Sequence, residues 1–269
     1  MNDHLSILNI GGHPKDAILY AGGTMAKHVA LGDRVCALAA YNGMRTHLVA
    51  IDEFSETGKM PDWDAHIEDR KRELVDAAGD VGVTDVRFLG HDDDVAIPDK
   101  RIINEIADVI GDVRPDIIIT HWPYDSVPAH ASTTQMVLVA VDAAAGIRTG
   151  TPYRPHKVAQ IFYHVWLGET NIQESVFPRV PTTLIDIGDV AEKKAQAMSR
   201  FESQYLDAKE GKRPMAKLAD FAATHLRVPD SESFLAHSPQ VYDALPVSPF
   251  SLGVARMSNR EEISLLRDV

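Results

Sequence analysis

Two short stretches of the chain concentrate imidazoles and carboxylates. Gly11-Gly12-His13-Pro14-Lys15-Asp16 sets a histidine and an aspartate three residues apart, and the segment from Thr120 to His130 offers His121, Asp125 and His130. Imidazole nitrogens and carboxylate oxygens bind divalent transition metals, and a set of His, Asp and His leaves a coordination position open to water or substrate. Spacing alone does not separate zinc from iron, because two histidines and one carboxylate also form the facial triad of non-haem iron. Taken singly, His13, Asp16 and His130 each have a plainer reading as residues that favour a helix N-terminus. Convergence of both stretches on one crevice outweighs it, so the question is which elements carry them.

Short apolar runs alternate with longer segments of helical period, the pattern of strands covered on both faces by crossover helices. The runs are Leu5–Ile10, Val35–Ala40, Val86–Leu89, Ile117–Thr120, Gln160–Val165 and Thr183–Ile187. Ile18, Gly22, Met25 and Val29 lie on one helical face, with Gly32 as a stop. Further helices are expected over Ile67–Ala78, from an Asp99 N-cap to Val113, over His130–Ala145 and over Asp189–Tyr205, with a last short one from a Ser258/Glu261 capping box. The expected fold is an α/β three-layer sandwich with a mostly parallel sheet, ordered 3-2-1-4-5-6 with right-handed crossovers. That order makes the first and fourth strands neighbours, so both metal-ligand stretches sit at the carboxyl edge of the sheet, at its switch point. Two stretches, Met44–Asp64 and Pro229–Pro249, read as long irregular loops bordering the crevice or a subunit contact. The whole chain, 1–269, reads as one domain: an α/β core over 1–210 and an extension of loops and short helices over 211–269.

Composition narrows the partners. Twenty-seven Lys and Arg against 39 Asp and Glu give a net charge of −12, which excludes nucleic-acid binding that rests on overall positive charge. No apolar run is long enough to span a membrane, no signal peptide is recognisable, and the single Cys36 rules out an intrachain disulfide. A cytoplasmic protein is expected. The first turn lacks the Gly-x-Gly-x-x-Gly of dinucleotide sites.

The ordered set Gly12-His13-Pro14-Lys15-Asp16, Gly22-Gly23-Thr24-Met25-Ala26-Lys27 and Gly32-Asp33-Arg34-Val35 resembles the opening of the PIG-L/LmbE family of zinc-dependent de-N-acetylases. The likeness continues through Arg70, Glu73, Phe88-Leu89-Gly90, Pro115–His121, Asp186-Ile187, Lys193-Lys194 and Ser203-Gln204. It implies a Rossmann-like fold with a zinc site formed by His13, Asp16 and His130. Lys15 stands where the family has its general-base Asp, and Ala17 where its opening motif ends in Glu. In the second motif Asp125 and Pro128 are kept, whereas Val127 replaces the His that helps with the tetrahedral intermediate and Ala129 replaces an Asp. A cationic residue at position 15 also makes the crevice more positive than the family pattern, which favours an anionic substrate.

Other polar residues at strand ends complete the expected site. Arg70 could bind an anionic substrate group or brace the acidic loops. Asp94, in the acidic triplet after the third strand, would hold substrate hydroxyls, as the family uses an acidic residue near here. Trp122 could stack on a sugar ring or wall the pocket, and His164, otherwise a satisfied core histidine, would face substrate. Lys15 and Asp125 are the candidate catalytic residues. The resulting expectation is a metal-dependent hydrolase of the N-deacetylase or amidase type, carrying Zn2+ or another divalent metal such as Fe2+, acting on a small anionic or sugar-like N-acyl substrate as a homo-oligomer. The alternative is a metal-binding but catalytically altered relative that binds a small molecule or serves in an assembly.

Overall fold

The computed structural model describes residues 4–165, 181–206, 228, 230–258, 260 and 261. Its strands are β1 (Ser6–Gly11), β2 (Arg34–Tyr41), β3 (Asp85–His91), β4 (Ile117–Thr120), β5 (Gln160–His164), β6 (Thr183–Asp186) and β7 (Ser231–Ala236). The helices are α1 (Asp16–Ala30), α2 (Leu48–Thr57), α3 (Trp63–Asp80), α4 (Lys100–Val113), α5 (Pro128–Ala145), α6 (Ala191–Met198) and α7 (Pro249–Ala255).

The described strands form one sheet in the order β3-β2-β1-β4-β5-β7-β6. All pairs from β3 to β5 are parallel, and β7 runs antiparallel to both β5 and β6. Strand alternation splits the core into two. Ile7, Ala37 and Ala39 face the layer of α1, α3 and α6, and Leu8, Ile10, Leu38 and Ile118 face α4 and α5. Both faces are covered, which explains why the strands read as unbroken apolar runs.

The expected order is corrected at one edge: β7 enters between β5 and β6, and it comes from the stretch expected to be loops and short helices. Ser231-Glu232-Ser233 are buried polar residues, so β7 has no apolar signature. Met44–Asp64 is likewise not irregular, since it holds a 3-10 turn at Met44–Thr46 and α2. The expected helix to Tyr205 stops at Met198, because the chain turns at Glu202–Gln204 to bring the Ser203 N–H and hydroxyl onto Glu73 at 2.7 and 2.6 Å. Pro229 and any helix beyond Glu261 lie outside the described residues, although Ser258 and Glu261 make the reciprocal capping-box bonds.

Helix α1 is broken at Ala21, whose φ is −142°. A break leaves carbonyl and N–H groups without their helical partners, and buried backbone groups need others. Asn9 of β1 donates to the Ala17 carbonyl, and the Glu232 carboxylate accepts from the N–H groups of Gly23 and Thr24 at 2.9 and 2.7 Å. Lys194 of α6 pairs with the same carboxylate at 2.7 Å. Gly23 is required here, since a Cβ would sit 2.7 Å from the Ile187 side chain. Glu232→Ala strands Lys194 and two N–H groups, and removing one partner of a buried pair costs about 3–5 kcal/mol. Urea unfolding of the variant should show a loss of that size; a loss under about 1 kcal/mol would mean that water replaces the carboxylate.

Candidate metal centre

Strand β1 is fully buried at its end and turns at Gly11-Gly12, so His13 and Asp16 emerge at the carboxyl edge. Asp16 opens α1, where a carboxylate suits the helix dipole, and its Oδ2 accepts from the His13 N–H at 2.6 Å. Next door, β4 ends at Thr120. Asp125 Oδ1 accepts from the Val127 N–H at 2.9 Å, and Pro128 starts α5, so that His130 lies in its first turn. Gly12 permits the close approach of the two loops: a Cβ there would lie 3.2 Å from the His130 ring.

Three donor atoms face one another in this crevice. His13 Nδ1 is 3.2 Å from His130 Nε2, and Asp16 Oδ2 is 3.3 Å from the first and 3.2 Å from the second. Ligands held at ~2.05 Å around a tetrahedral zinc are about 3.3 Å apart, so the spacing fits such an ion. All three side chains are buried, and the Asp16 carboxyl is held well below the usual range, because His130, His13 and His121 outweigh the burial that would raise it. Each histidine is backed by a carboxylate on its far nitrogen. Asp93 Oδ2 is 3.4 Å from His13 Nε2, and Asp125 Oδ1 is 3.4 Å from His130 Nδ1. Carboxylates behind metal-binding imidazoles fix their orientation and raise their basicity. Burial opposes charge on His130, yet Asp16 and Asp125 raise its pKa to about 9. A group of His121, Asp125 and His130 also lies within metal-binding range. His121 is occupied otherwise: its Nε2 accepts from the Gly12 N–H at 2.8 Å, and burial and His130 lower its pKa to about 4. Its ring stacks on that of His130, with centroids 3.8 Å apart.

The remaining sequence candidates divide. Lys15 Nζ donates to Gln204 Oε1 at 3.3 Å, and Gln204 in turn reaches the Thr46 carbonyl, which brings the Met44–Thr46 turn against the site. Arg70 is fully buried beneath Gly43 and donates to Ser203 Oγ at 3.2 Å, while its Nε and Nη2 have no partner. It braces Ser203 and lies in the field of Glu73, Asp16 and Asp93. Asp94 is exposed and pairs with Arg45, and its buried neighbour Asp93 lies beside His13. Trp122 packs edge-on against Tyr163 and Tyr124. His164 is buried against Tyr20. Sequence reasoning missed Asp93 because three consecutive aspartates look alike, and Tyr20 because it sits on an expected helix; its ring meets His121 and His130 edge-on.

Fold and site together define an α/β protein that presents a divalent-metal donor set at the carboxyl edge of its parallel sheet. Through residues 8–141, which match the family model described as "PIG-L: GlcNAc-PI de-N-acetylase", the chain belongs to the PIG-L family. A curated relative, the 1D-myo-inositol 2-acetamido-2-deoxy-alpha-D-glucopyranoside deacetylase of Kineococcus radiotolerans, is 28% identical over 189 residues, or 58% of this chain and 51% of the relative. The chain thus spans about half the length of that relative. Among solved structures, the 4-carboxy-2-hydroxymuconate hydratase GalB of Pseudomonas putida KT2440 is similar with a TM-score of 0.74 at 19% identity, covering 90% of this chain and all of that one. The N,N'-diacetylchitobiose deacetylase of Pyrococcus horikoshii follows with a TM-score of 0.67 at 20% identity, covering 87% and 84%. At these identities the structural likeness establishes the fold alone.

Proposed function

We propose that the protein is a divalent-metal-dependent hydrolase of the N-deacetylase type, cleaving a non-peptide C–N bond in a small, sugar-like N-acyl compound that carries an anionic group. The observation that carries this reading is the donor triangle of His13, Asp16 and His130, with edges of 3.2–3.3 Å, inside the segment that matches a de-N-acetylase family. Zinc suits the donor set, with Fe2+ as the second choice; when bound, the ion polarises the acyl oxygen and acidifies water. The chain's own residues do the rest. Asp93 and Asp125 hold the two imidazoles in register. Lys15, at the mouth of the first turn, offers a cation to an anionic group of the substrate or to the oxyanion that develops on the acyl carbon. Arg70 keeps two donor nitrogens unengaged beneath Gly43, a geometry suited to a bidentate acceptor. Trp122 walls the pocket beside them.

Among the described residues no helix is long and apolar enough to cross a membrane. The reading keeps a cytoplasmic location, a small-molecule substrate and a homo-oligomer, the last supported by exposed Leu48, Ile51 and Phe54 on α2 and by Val241 and Leu245. A second reading, a metal-binding relative that no longer hydrolyses amides, is favoured by one observation: position 15 carries a lysine in place of a carboxylate base. Metal analysis of protein purified without a chelating column, together with acetate release from N-acetylglucosamine and its 6-phosphate, separates the two. Metal with turnover supports the hydrolase. Metal without turnover supports the second reading, and absence of metal removes both.

A further inference from the structure

Four buried histidines gather at the carboxyl edge among the described residues, and three of them are engaged. His13 and His130 point one nitrogen at the donor triangle and the other at Asp93 or Asp125, and His121 accepts from Gly12. His164 differs. It is 3% exposed, yet neither ring nitrogen has a hydrogen-bond partner. A neutral imidazole carries one donor and one acceptor, and each left unmet in the interior is a cost to the fold. Such a group calls for an explanation, and a ligand that supplies both partners is the simplest one.

Its position fits that explanation. His164 ends β5, and since Thr120 of β4 pairs with Tyr163, it lies one strand across from His121. The His164 ring stacks on Tyr20 with centroids 4.9 Å apart and meets His121 at 5.4 Å. Tyr20 also touches His130, so one aromatic ring spans the distance from His164 to the metal donors. Lys15 and Val127, at positions where the resembled family has its proton-transfer residues, have left that work without an obvious owner.

We propose that His164 is the acid–base residue of the hydrolysis, taking a proton from the attacking water and delivering it to the departing amine nitrogen. This rests on the hydrolase reading above. In the step, a lone pair of the water oxygen forms the new C–O bond, the C=O π pair moves onto the acyl oxygen, and the O–H bond breaks with its pair left on the water oxygen and its proton passing to the free imidazole nitrogen. The C=O π bond then re-forms as the C–N bond breaks with its pair going to nitrogen, which takes the proton and returns the imidazole to its neutral form. One water is consumed, and an acid and an amine leave. The residue must start neutral, which its surroundings favour: burial, His121 after β4, His130 on α5 and Lys194 on α6 all disfavour its charged form, with Asp16 on α1 opposing. Tyr20 on α1 and Phe234 on β7 supply the ring faces against it.

The test uses the metal-loaded protein, with acetate release from N-acetylglucosamine and its 6-phosphate as the readout. His164→Gln keeps a polar side chain that cannot relay protons, and should lower kcat by about 10²–10⁴-fold with KM and metal content little changed. His164→Ala should be rescued by added imidazoles, more strongly by the more basic ones, which a merely structural role would not produce. An active wild type whose His164→Gln variant keeps kcat within about threefold overturns this assignment alone. So does parallel loss of activity, metal and unfolding midpoint in both variants without rescue. A metal-loaded wild type that releases no acetate overturns the hydrolase reading and this one with it.

Discussion

His130→Ala should yield folded protein that no longer copurifies with divalent metal in a stoichiometric amount. The expectation follows from the triangle of donors: with Nε2 of His130 gone, only His13 Nδ1 and Asp16 Oδ2 remain, and two ligands do not hold a catalytic zinc. The carboxylates behind the imidazoles should show a graded effect. Asp93→Asn and Asp125→Asn keep the shape of the side chain and remove its charge, and changes at such positions typically weaken metal binding about 10–100-fold. Competition titration against a fluorescent zinc chelator reads all three. Metal retained near one per chain in His130→Ala would show that the ligand set is another one.

Lys15→Asp carries the second large effect, in opposite directions for two kinds of ligand. A carboxylate at this position provides a base where the resembled family keeps one, so acetate release from neutral N-acetylglucosamine should rise about tenfold, a modest part of the ~10²–10⁴ that a general base contributes. Binding of N-acetylglucosamine 6-phosphate should weaken by at least about 100-fold, because losing a single charge at ~6 Å in an effective dielectric of ~20 costs about 2.8 kcal/mol and the substitution also adds a like charge. Lys15→Met separates the two causes: it should weaken the phosphorylated compound without raising turnover of the neutral one. If Lys15→Asp gains no activity and binds the phosphorylated compound as well as wild type does, Lys15 has neither role. The bond from Lys15 to Gln204 would then stand as a structural one, tying the first turn to the Met44–Thr46 turn.

The parallel half of the sheet was legible because its central strands β1, β2 and β4 are buried on both sides and therefore nearly continuous in apolar residues, from Leu8 and Ile10 to Ile118 and Ile119. The neighbouring positions of β1 and β4 followed from topology, and with them the meeting of His13, Asp16 and His130. Strand β7 was illegible for the converse reason: its buried residues Ser231, Glu232 and Ser233 are polar, Glu232 serving the backbone of a distant helix, and such a run looks like a loop. The break in α1 was hidden by the period of Ile18, Gly22, Met25 and Val29, which survives a change of direction at Ala21. Asp93 could not be told from Asp92 and Asp94, since burial within a run of identical residues is decided by the turn and not by the letters. His164 was visible as a residue type at a strand end, but its lack of partners is a property of the packing alone.

The Glu232 clasp also sets an order of events during synthesis. Asp16 and the first turns of α1 leave the ribosome early, as does His130, so the donor set is complete in sequence once α5 has emerged. The N–H groups of Gly23 and Thr24, however, wait for a carboxylate 209 and 208 residues downstream. Contacts of such separation form late, because the loop they close must be ordered first. A nascent chain halted before residue 232 therefore carries Asp16 on a helix whose broken middle is still unclasped, with solvent left to meet those two N–H groups. The emergence of β7 is what locks a helix made near the start of synthesis.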